Sequence, residues 1–442
     1  SIRLNFKMIL LLQVNHVILK INKTSIISIF SIILVFGLTK SVNAQQSVSF
    51  NSPVNTKTKP IELQTKKTFE LEKAGVFASN EFDGARLSDF TLENDSTAIV
   101  IIKPENSPIN NSGYYAFTTW SSTPKPFYYT FRYPKDYKHR YIPKLKINNN
   151  WTTIDPIFVY KKDSIVTIKL NLSKEPILVA AQEIQSSTDV KNWYTSIVSG
   201  KEYVTVKSAG NSVLGKNIPV LDIYKGDKKN KKIIVLLTRQ HPPETTGYYA
   251  FQSFLSTILD GSELSDVFLK TYRIIAFPIA NPDGVDLGHW RHNYGGIDLN
   301  RDWSVYNQPE IKQIVRFINN ASEDDEGDII LGLDFHSTTK DVFYTNKKRE
   351  NTSMPNFIDY WFAGLERNIP GYKVNEYVNI NKNAYFDSSN DRNERAILQV
   401  KSVDSNGGIT ELHLINNGKF TQNFEQAELD GGSGKGAKVS LI

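Results

Sequence analysis

Histidine and carboxylate residues occur at positions where the chain could bind a metal ion. His241 is followed three positions later by Glu244, and His336 lies further along the chain. Pro242 and Pro243 separate the first two residues, so a helix is not expected to run through that gap. We expect a sharp turn instead, with Glu244 opening the next helix and both side chains facing one point.

These three side chains meet the requirements of a catalytic zinc site. Such a site uses three nitrogen or oxygen ligands and leaves a fourth position for water. The chain contains no cysteine, so thiolate ligands, disulfides and thiol catalysis are excluded. A His-x-x-Glu spacing alone is more often a surface pair. With His336 in the same architectural position, the sequence predicts one zinc ion on His241, Glu244 and His336.

Alternating strands and helices are expected to position these residues. After residue 190, apolar runs predict strands at 233–237, 273–279 and 328–335, and helical spacing predicts helices at 248–259 and 309–319. This alternation is typical of a mixed, mostly parallel α/β sheet flanked by helices. Ligands bind such sheets beyond the carboxyl ends of the strands, and the polar segments that include His241 and His336 follow strands in this way.

The first part of the chain predicts a different fold. Residues 45–188 contain short runs rich in aromatic and β-branched residues, separated by Asn, Ser and Pro, which predicts an antiparallel β-sandwich. Its aromatic residues could form a sugar- or peptide-binding face, but a sandwich core is favoured. The α/β domain then takes 189–425, and 426–442 is predicted to be a flexible tail. No linker composition separates the two domains, so we predict a packed interface.

The N-terminus predicts export. Residues 1–44 hold five basic and no acidic side chains, an apolar run at 25–38 and a small-x-small sequence at 42–44. This pattern is typical of a secretory signal peptide, with an anchor helix as the alternative. Without this segment, 47 basic residues face 46 acidic ones, which removes the electrostatic case for a nucleic-acid partner. We expect a secreted or periplasmic protein that is not inserted in a membrane after signal cleavage.

The motifs together resemble the M14-type zinc carboxypeptidases, and most closely their cytosolic carboxypeptidase, deglutamylase-type branch. The resemblance is carried by Arg-x-His-Pro-x-Glu-Thr at 239–245, Asn-Pro-Asp-Gly-Val-x-x-Gly-His-x-Arg at 281–291, Asp-Leu-Asn-Arg at 298–301 and His-Ser at 336–337. It covers about residues 60–415. Members of that branch also carry a β-sandwich ahead of the catalytic domain. The resemblance implies a metallocarboxypeptidase that acts on peptides with a free C-terminus, and the signal-peptide pattern makes it a secreted bacterial member.

The resemblance also implies a role for individual residues. Glu411 would be the general base that takes a proton from the zinc-activated water, whose pKa falls towards about 7, and delivers it to the leaving amine. Arg291 would stabilise the developing oxyanion. Asn300 and Arg301 would grip the terminal carboxylate, which a guanidinium can pair bidentately. Each residue also has a structural alternative. Glu411 could be an ordinary edge-strand carboxylate and Arg291 a salt-bridged surface residue. Asn300 and Arg301 could merely hold a turn together.

Substrate preference depends on residues with weaker patterns. Arg395 resembles the basic residue that lets the cytosolic branch accept acidic C-terminal side chains, although a surface ion pair with its charged neighbours is the alternative. Tyr385 is the candidate for the family's mobile substrate-clamping tyrosine, in competition with Tyr377. His336 is followed by Ser337-Thr338-Thr339, whereas the cytosolic branch typically has Gly-His-Ser after its corresponding histidine. This departure indicates a divergent relative.

Other residues near the motifs are predicted to have supporting roles. Asp334 lies two positions before His336 and therefore on the same side of a strand, where it could orient a ligand. His289, His292 and His413 are expected to be structural or to support the metal ligands. Two functional alternatives remain from sequence: a peptidoglycan stem-peptide hydrolase with the same metal centre, and a non-catalytic glycan- or peptide-binding protein.

Overall fold

In a computed structural model, the chain is described at residues 55–111, 113–162, 165–303, 305–338, 341–346 and 355–379. The backbone is also described for short strands at 7–10, 396–403, 409–417, 426–428 and 438–440. Among these described residues, no helix is both long and apolar enough to cross a bilayer.

Strand β1 (Lys7–Leu10) precedes the N-terminal domain. The strands of that domain are β2 (Thr68–Leu71), β3 (Val76–Ser79), β4 (Asp89–Asn94), β5 (Thr97–Ile101), β6 (Ala116–Ser121), β7 (Lys125–Arg132), β8 (Lys144–Ile147), β9 (Asn150–Thr153), β10 (Val159–Lys162), β11 (Ile165–Leu172) and β12 (Ile177–Ala180). They form two sheets, with orders β10-β11-β7-β5-β4 and β2-β3-β6-β12-β8-β9. All pairings are antiparallel except β5 with β7. This matches the predicted β-sandwich architecture.

The aromatic residues of the sandwich strands fill its core. Phe117 on β6 and Phe127, Tyr129 and Phe131 on β7 are all buried in one cluster contributed by both sheets. Burying rings of this size removes about 150–250 Å² each from water, and such rings dominate the energetics of a core. The favoured interpretation of these residues as core is therefore confirmed, and these four rings present no binding face.

The second domain alternates helices and strands. Its elements are α1 (Ser187–Val198), β13 (Val204–Asn211), β14 (Asn217–Ile223), β15 (Lys232–Thr238), α2 (Thr245–Ile258), α3 (Glu263–Thr271), β16 (Tyr272–Phe277), α4 (Pro282–Asp286), α5 (Pro309–Asp324), β17 (Ile329–His336), β18 (Val342–Asn346), α6 (Phe357–Asn368) and β19 (Glu376–Asn379). The sheet order is β13-β14-β16-β15-β17-β1-β18-β19. Strands β16, β15 and β17 pair in parallel, whereas β13 and β14 form an antiparallel hairpin at one edge. The predicted mixed α/β fold is confirmed.

Both faces of the central strands are buried. On β15, Ile234 and Leu236 belong to one core cluster, whereas Val235 and Leu237 belong to another on the opposite face. Helix α2 packs on the first face and helix α5 on the second. Because strands covered on both sides read as continuous apolar runs, this layering explains why the sequence predicted β15 without any alternation.

The remaining strands pair outside this sheet. Strand β20 (Ala396–Val403) pairs antiparallel with β21 (Ile409–Asn417), and β22 (Gln426–Glu428) pairs with β23 (Lys438–Ser440). The second pair lies in the segment predicted as a tail, and β1 lies in the segment predicted as a signal peptide.

A buried glutamate at the start of α5 leads to a pH-dependent stability prediction. The side chain of Glu310 is fully buried and accepts a hydrogen bond from Asn293 Nδ2 at 2.9 Å. Burial raises the pKa of Glu310 to about 7, and the charge of Asp283 contributes in the same direction. The folded protein therefore holds this proton more tightly than the unfolded chain. Its ionisation destabilises the fold as pH rises from about 4.5 to about 7.

We expect Glu310→Gln to become more stable than the wild type as pH rises. Between pH 5 and pH 8, the difference in the free energy of unfolding should shift by about 2 kcal/mol in favour of the variant. Urea unfolding at both pH values measures this difference. The matched control is Glu175→Gln, which changes an exposed glutamate and should show no such shift. An equal difference at both pH values for Glu310→Gln would contradict the prediction.

Candidate metal centre and substrate site

His241 and Glu244 lie on the sharp turn between β15 and α2. The strand ends at Thr238, and Arg239 adopts a left-handed backbone conformation with φ 57°. Glu244 occupies the N-cap position of α2, as the proline pair in this turn had indicated. The turn places His241 and Glu244 at the carboxyl edge of the central sheet.

His336 is the last residue of β17, the parallel neighbour of β15. Thr238 is paired with Phe335 in this register, so the carboxyl ends of both strands meet at one point. Helix α2 approaches this end closely because it carries Gly247, where a Cβ atom would lie 2.4 Å from the carbonyl oxygen of His336. Ser337 completes the contact, since its Oγ accepts a hydrogen bond from Gly247 N–H at 2.8 Å.

The three predicted ligands converge. One ligand atom from each of His241, Glu244 and His336 lies within 4.8 Å of the others. The two Nδ1 atoms are 3.2 Å apart, and the Glu244 carboxylate lies 3.1 Å from His241 Nδ1 and 2.7 Å from His336 Nδ1. The imidazoles are buried, whereas 16% of the Glu244 side chain is exposed. The cluster therefore opens to solvent on the carboxylate side.

A second carboxylate holds the far nitrogen of each imidazole. His241 Nε2 lies 2.8 Å from Asp298 Oδ1, and His336 Nε2 lies 2.7 Å from Asp334 Oδ2. A carboxylate at Nε2 accepts a hydrogen bond from Nε2–H, and in the neutral imidazole this tautomer leaves the Nδ1 lone pair for a metal ion. This arrangement orients both rings towards Glu244.

The charges of the cluster are strongly coupled. Burial opposes ionisation of Glu244, but His241 and His336 outweigh it and hold the pKa of Glu244 well below its usual range. Burial likewise lowers the pKa of His336, yet Asp334 and Glu244 raise it to about 9. The negative charges of Asp334 and Glu244 therefore favour a cation at His336, which is a proton in the metal-free protein and which a bound metal ion would displace.

Asp298 connects the metal cluster to the predicted substrate residues. Its Oδ2 accepts a hydrogen bond from Arg291 Nε at 2.6 Å, and its Oδ1 also accepts one from Asn300 N–H at 2.9 Å. Burial raises the pKa of Asp298, but Arg291, His241 and Arg301 outweigh burial and hold it well below its ordinary value. Asp298 is therefore ionised and fixes the position of Arg291 relative to His241.

Asn300 and Arg301 lie on a short 3-10 turn, Leu299–Arg301, which Asp298 caps. Both side chains are half-buried, and Arg301 Nη1 lies 3.4 Å from the carbonyl oxygen of Asn300. The charge of Arg301 contributes to the low pKa of Asp298, which places this guanidinium near the cluster. The turn therefore lies next to Asp298, which contacts the candidate ligand His241.

Residues 191–401 match a family model described as zinc carboxypeptidase, Peptidase_M14. The chain carries a Peptidase_M14 zinc carboxypeptidase domain. This domain contains the converging imidazoles and Glu244, together with Arg291 and the 298–301 turn. The predicted resemblance is thereby confirmed.

The chain is similar to proteins and solved structures that are named carboxypeptidases. The chain is 30% identical over 160 residues to cytosolic carboxypeptidase 2 of Danio rerio and 31% identical over 144 residues to that of Xenopus tropicalis. These matches cover 33% and 30% of this chain but only 21% and 14% of the relatives. A metallocarboxypeptidase structure from Pseudomonas aeruginosa is 18% identical with a TM-score of 0.46, covering 61% of this chain and 68% of that chain.

Three of the predicted site residues have no described side chain. Glu411 lies on β21 opposite Ser402, and only its backbone is described. His413 lies on the same strand, and its side chain is likewise not described. Arg395 and Tyr385 lie outside the described residues, and the side chain of Tyr377 does too. Their roles stay predictions.

The sequence did not predict the contacts of two carboxylates, Asp298 with His241 and Arg291, and Glu105 with the segment that carries Arg291. Asp298 was part of the motif at 298–301, and its position ahead of Asn300 was the available signal for a capping role. Glu105 lies in the N-terminal domain and accepts hydrogen bonds from the segment that carries Arg291. No local pattern identified Glu105. The Asp334 contact with His336 agrees with the orienting role considered for it.

Proposed function

We propose that the protein is a zinc metallocarboxypeptidase that hydrolyses the C-terminal peptide bond of peptides. The observation that carries this proposal is the convergence of His241, Glu244 and His336 inside the matched domain, with each imidazole held at Nε2 by a carboxylate. Three nitrogen and oxygen donors that leave one side open are typical of catalytic rather than structural zinc. The donor set therefore fits one zinc ion.

The chain's own residues supply the remaining chemistry. When bound, zinc acts as a Lewis acid that polarises a carbonyl and lowers the pKa of a coordinated water to about 7. Glu411 accepts the proton of the attacking water and returns it to the leaving amine. Arg291, held by Asp298, donates hydrogen bonds to the oxyanion that develops on the scissile carbonyl. The negative charge of the transition state is thus matched by a preorganised cation.

Exopeptidase specificity is assigned to the turn after Asp298. Asn300 and Arg301 bind the free carboxylate of the substrate, since a guanidinium forms charge-assisted bonds to carboxylates. A fixed cation at this turn favours peptides whose free C-terminal carboxylate lies beside the bond to be cleaved. We also propose a preference for acidic C-terminal side chains through Arg395, and a secreted or periplasmic location from the N-terminal sequence.

A set of peptides that differ only in the C-terminal residue tests the proposal. Release of the C-terminal residue is followed for peptides ending in Glu, Leu or Lys, where the product is the free amino acid, and for the Glu peptide with an amidated C-terminus, where the product is glutamic acid α-amide. The protein is assayed with zinc, after chelation, and after zinc is restored. We expect zinc-dependent release, a loss of about 100-fold or more in kcat/KM on amidation, and a preference for Glu.

The acidic preference has its own control. Arg395→Leu should lower the ratio of Glu to Leu release by about 10- to 100-fold, whereas the nearby Arg392→Leu should leave that ratio unchanged. Zinc-dependent release without a Glu preference would discard the role of Arg395 and keep the metallocarboxypeptidase. Release of amino acid only from cell-wall stem peptides would favour the peptidoglycan hydrolase. If the protein neither binds zinc nor cleaves any of these peptides, the non-catalytic binding protein would be the remaining hypothesis.

A further inference from the structure

The segment Gly288–His292, which carries Arg291, is built into the core of the N-terminal domain. The Trp290 side chain is fully buried and belongs to the hydrophobic cluster of the sandwich. Its ring makes edge contacts with Tyr133 and Tyr137, at centroid distances of 6.2 and 5.4 Å. A residue of the zinc carboxypeptidase domain therefore completes the core of the other domain.

The backbones of the two domains also meet at this point. Gly288 has φ +64°, and a Cβ atom there would lie 2.2 Å from the carbonyl oxygen of Ala85. Only glycine combines this conformation with this approach at low cost. The Gly288–His292 segment is therefore held between the domains rather than exposed as a free loop.

Glu105 is the polar centre of this contact. Its carboxylate is fully buried and accepts hydrogen bonds from three successive backbone N–H groups, of Trp290 at 2.8 Å, Arg291 at 3.1 Å and His292 at 2.9 Å. His292 Nδ1 lies 3.0 Å from the same carboxylate. Four donors around one buried carboxylate form a rigid, fully satisfied cradle.

The charge on Glu105 is stabilised from both domains. Burial raises its pKa, but the His292 hydrogen bond and the positive potential of His289, His292 and Arg86 outweigh burial and hold it well below its ordinary value. Arg86 is itself buried and donates from Nε to the carbonyl oxygen of Lys103 at 2.8 Å. Glu105 is therefore a buried anion anchored on the sandwich.

We propose that Glu105 is a positioning residue for Arg291, so that the N-terminal domain forms part of the active site. The carboxylate fixes the Arg291 backbone on one side, and Asp298 Oδ2 fixes its guanidinium on the other at 2.6 Å. With both ends held, the guanidinium has one position relative to His241. This role for Glu105 rests on the proposed peptide hydrolysis, in which Arg291 stabilises the oxyanion.

Neighbouring contacts extend the same support to the 298–301 turn. Asn106 Nδ2 donates to the carbonyl oxygen of Gly296 at 3.0 Å, and Lys59 N–H donates to that of Gly295 at 2.8 Å. Gln308 Nε2 donates to the carbonyl oxygen of Thr56 at 2.6 Å. The N-terminal domain thus holds the segment on both sides of Asp298.

The test uses Glu105→Gln in the full chain, loaded with zinc. Gln keeps the size of the side chain but replaces one acceptor oxygen by a donor and removes the charge. We expect kcat to fall about 10- to 100-fold, with KM within about twofold and zinc still bound stoichiometrically. The effect should disappear in the Arg291→Ala background, because a residue that acts through Arg291 has nothing left to position.

The matched control is Thr119→Val. Thr119 is also a fully buried polar residue of the sandwich, and its Oγ1 bonds with the Phe77 carbonyl oxygen at 2.7 Å and Tyr129 Oη at 2.6 Å, away from Gly288–His292. Thermal unfolding of both variants reports the loss of stability. If Thr119→Val lowers kcat as much as Glu105→Gln, or if the Glu105 and Arg291 effects multiply, Glu105 has no positioning role.

Hydrogen exchange separates this proposal from the proposed function. In Glu105→Gln, amides of residues 290–292 should exchange at least about tenfold faster, with no such change in Thr119→Val. If the wild type cleaves no peptide, the hydrolase proposal fails. Faster exchange confined to Glu105→Gln would still show that Glu105 holds residues 290–292 in place. Unchanged exchange in Glu105→Gln overturns the role of Glu105 whether or not peptides are cleaved.

Discussion

Replacing Asp298 by asparagine is expected to lower kcat/KM for peptide release by about 100- to 1000-fold and zinc affinity by about 10- to 100-fold. The carboxylate is buried and shared, with Oδ1 2.8 Å from His241 Nε2 and Oδ2 2.6 Å from Arg291 Nε. Asparagine keeps the shape but loses the charge and presents a donor to one of these two donors. The buried Arg291 guanidinium is then left without its anion.

Asp302→Asn is the matched control for Asp298→Asn. Asp302 is also a fully buried aspartate, four residues further along, but its oxygens accept the N–H groups of Asn307 and Gln308 at 3.0 and 2.7 Å. We expect its zinc affinity and kcat/KM to stay within about fivefold of the wild type. Zinc titration and peptide kinetics on both variants measure the difference. Equal losses in the two variants would show that the loss reflects stability alone.

Glu411→Gln is expected to lower kcat by about 100- to 10,000-fold, with stoichiometric zinc and a nearly unchanged KM. The amide cannot accept the proton of the attacking water, whereas metal binding and carboxylate recognition are assigned to residues on other elements. Single-turnover release from the Glu-terminated peptide, beside a zinc assay, measures both effects.

Glu428→Gln, in the short strand β22, serves as the control for the loss of one carboxylate. It should leave kcat within about twofold. Loss of zinc together with activity in Glu411→Gln would instead make Glu411 part of the metal site. Retained activity in this variant would require another base.

Elements with a continuous apolar run or a helical apolar period were predictable because their pattern is local. Strand β15 is buried on both faces and helix α5 has one apolar face, so each was recognisable from its own residues. The N-terminal sheets were predicted as a class, but the parallel pairing of β5 with β7 was not. Pairing partners far apart in the chain leave no mark on the spacing of either strand.

The site followed the same division. His241, Glu244 and His336 were predictable because ligand chemistry depends on residue type, and the ends of parallel strands meet at one edge. The link between Asp298 and His241 spans 57 residues, and the contact of Glu105 with His292 spans 187. Asp298 was at least part of a recognised motif, whereas Glu105 lay in the N-terminal domain, for which the sequence predicted a packed interface but no residue in contact with the site.

The sequence by itself determined the chemical types of the site and the kind of domain that bears it, since these depend on local composition and order. The tertiary structure alone decided that Asp298 holds both His241 and Arg291, because these buried charges are paired only when the folded chain brings distant segments together. It also placed Trp290 in the sandwich core and Glu105 beneath Arg291. Because Glu105 is buried at that interface, its carboxylate must be paired with hydrogen-bond donors, and this pairing fixes the backbone of Arg291.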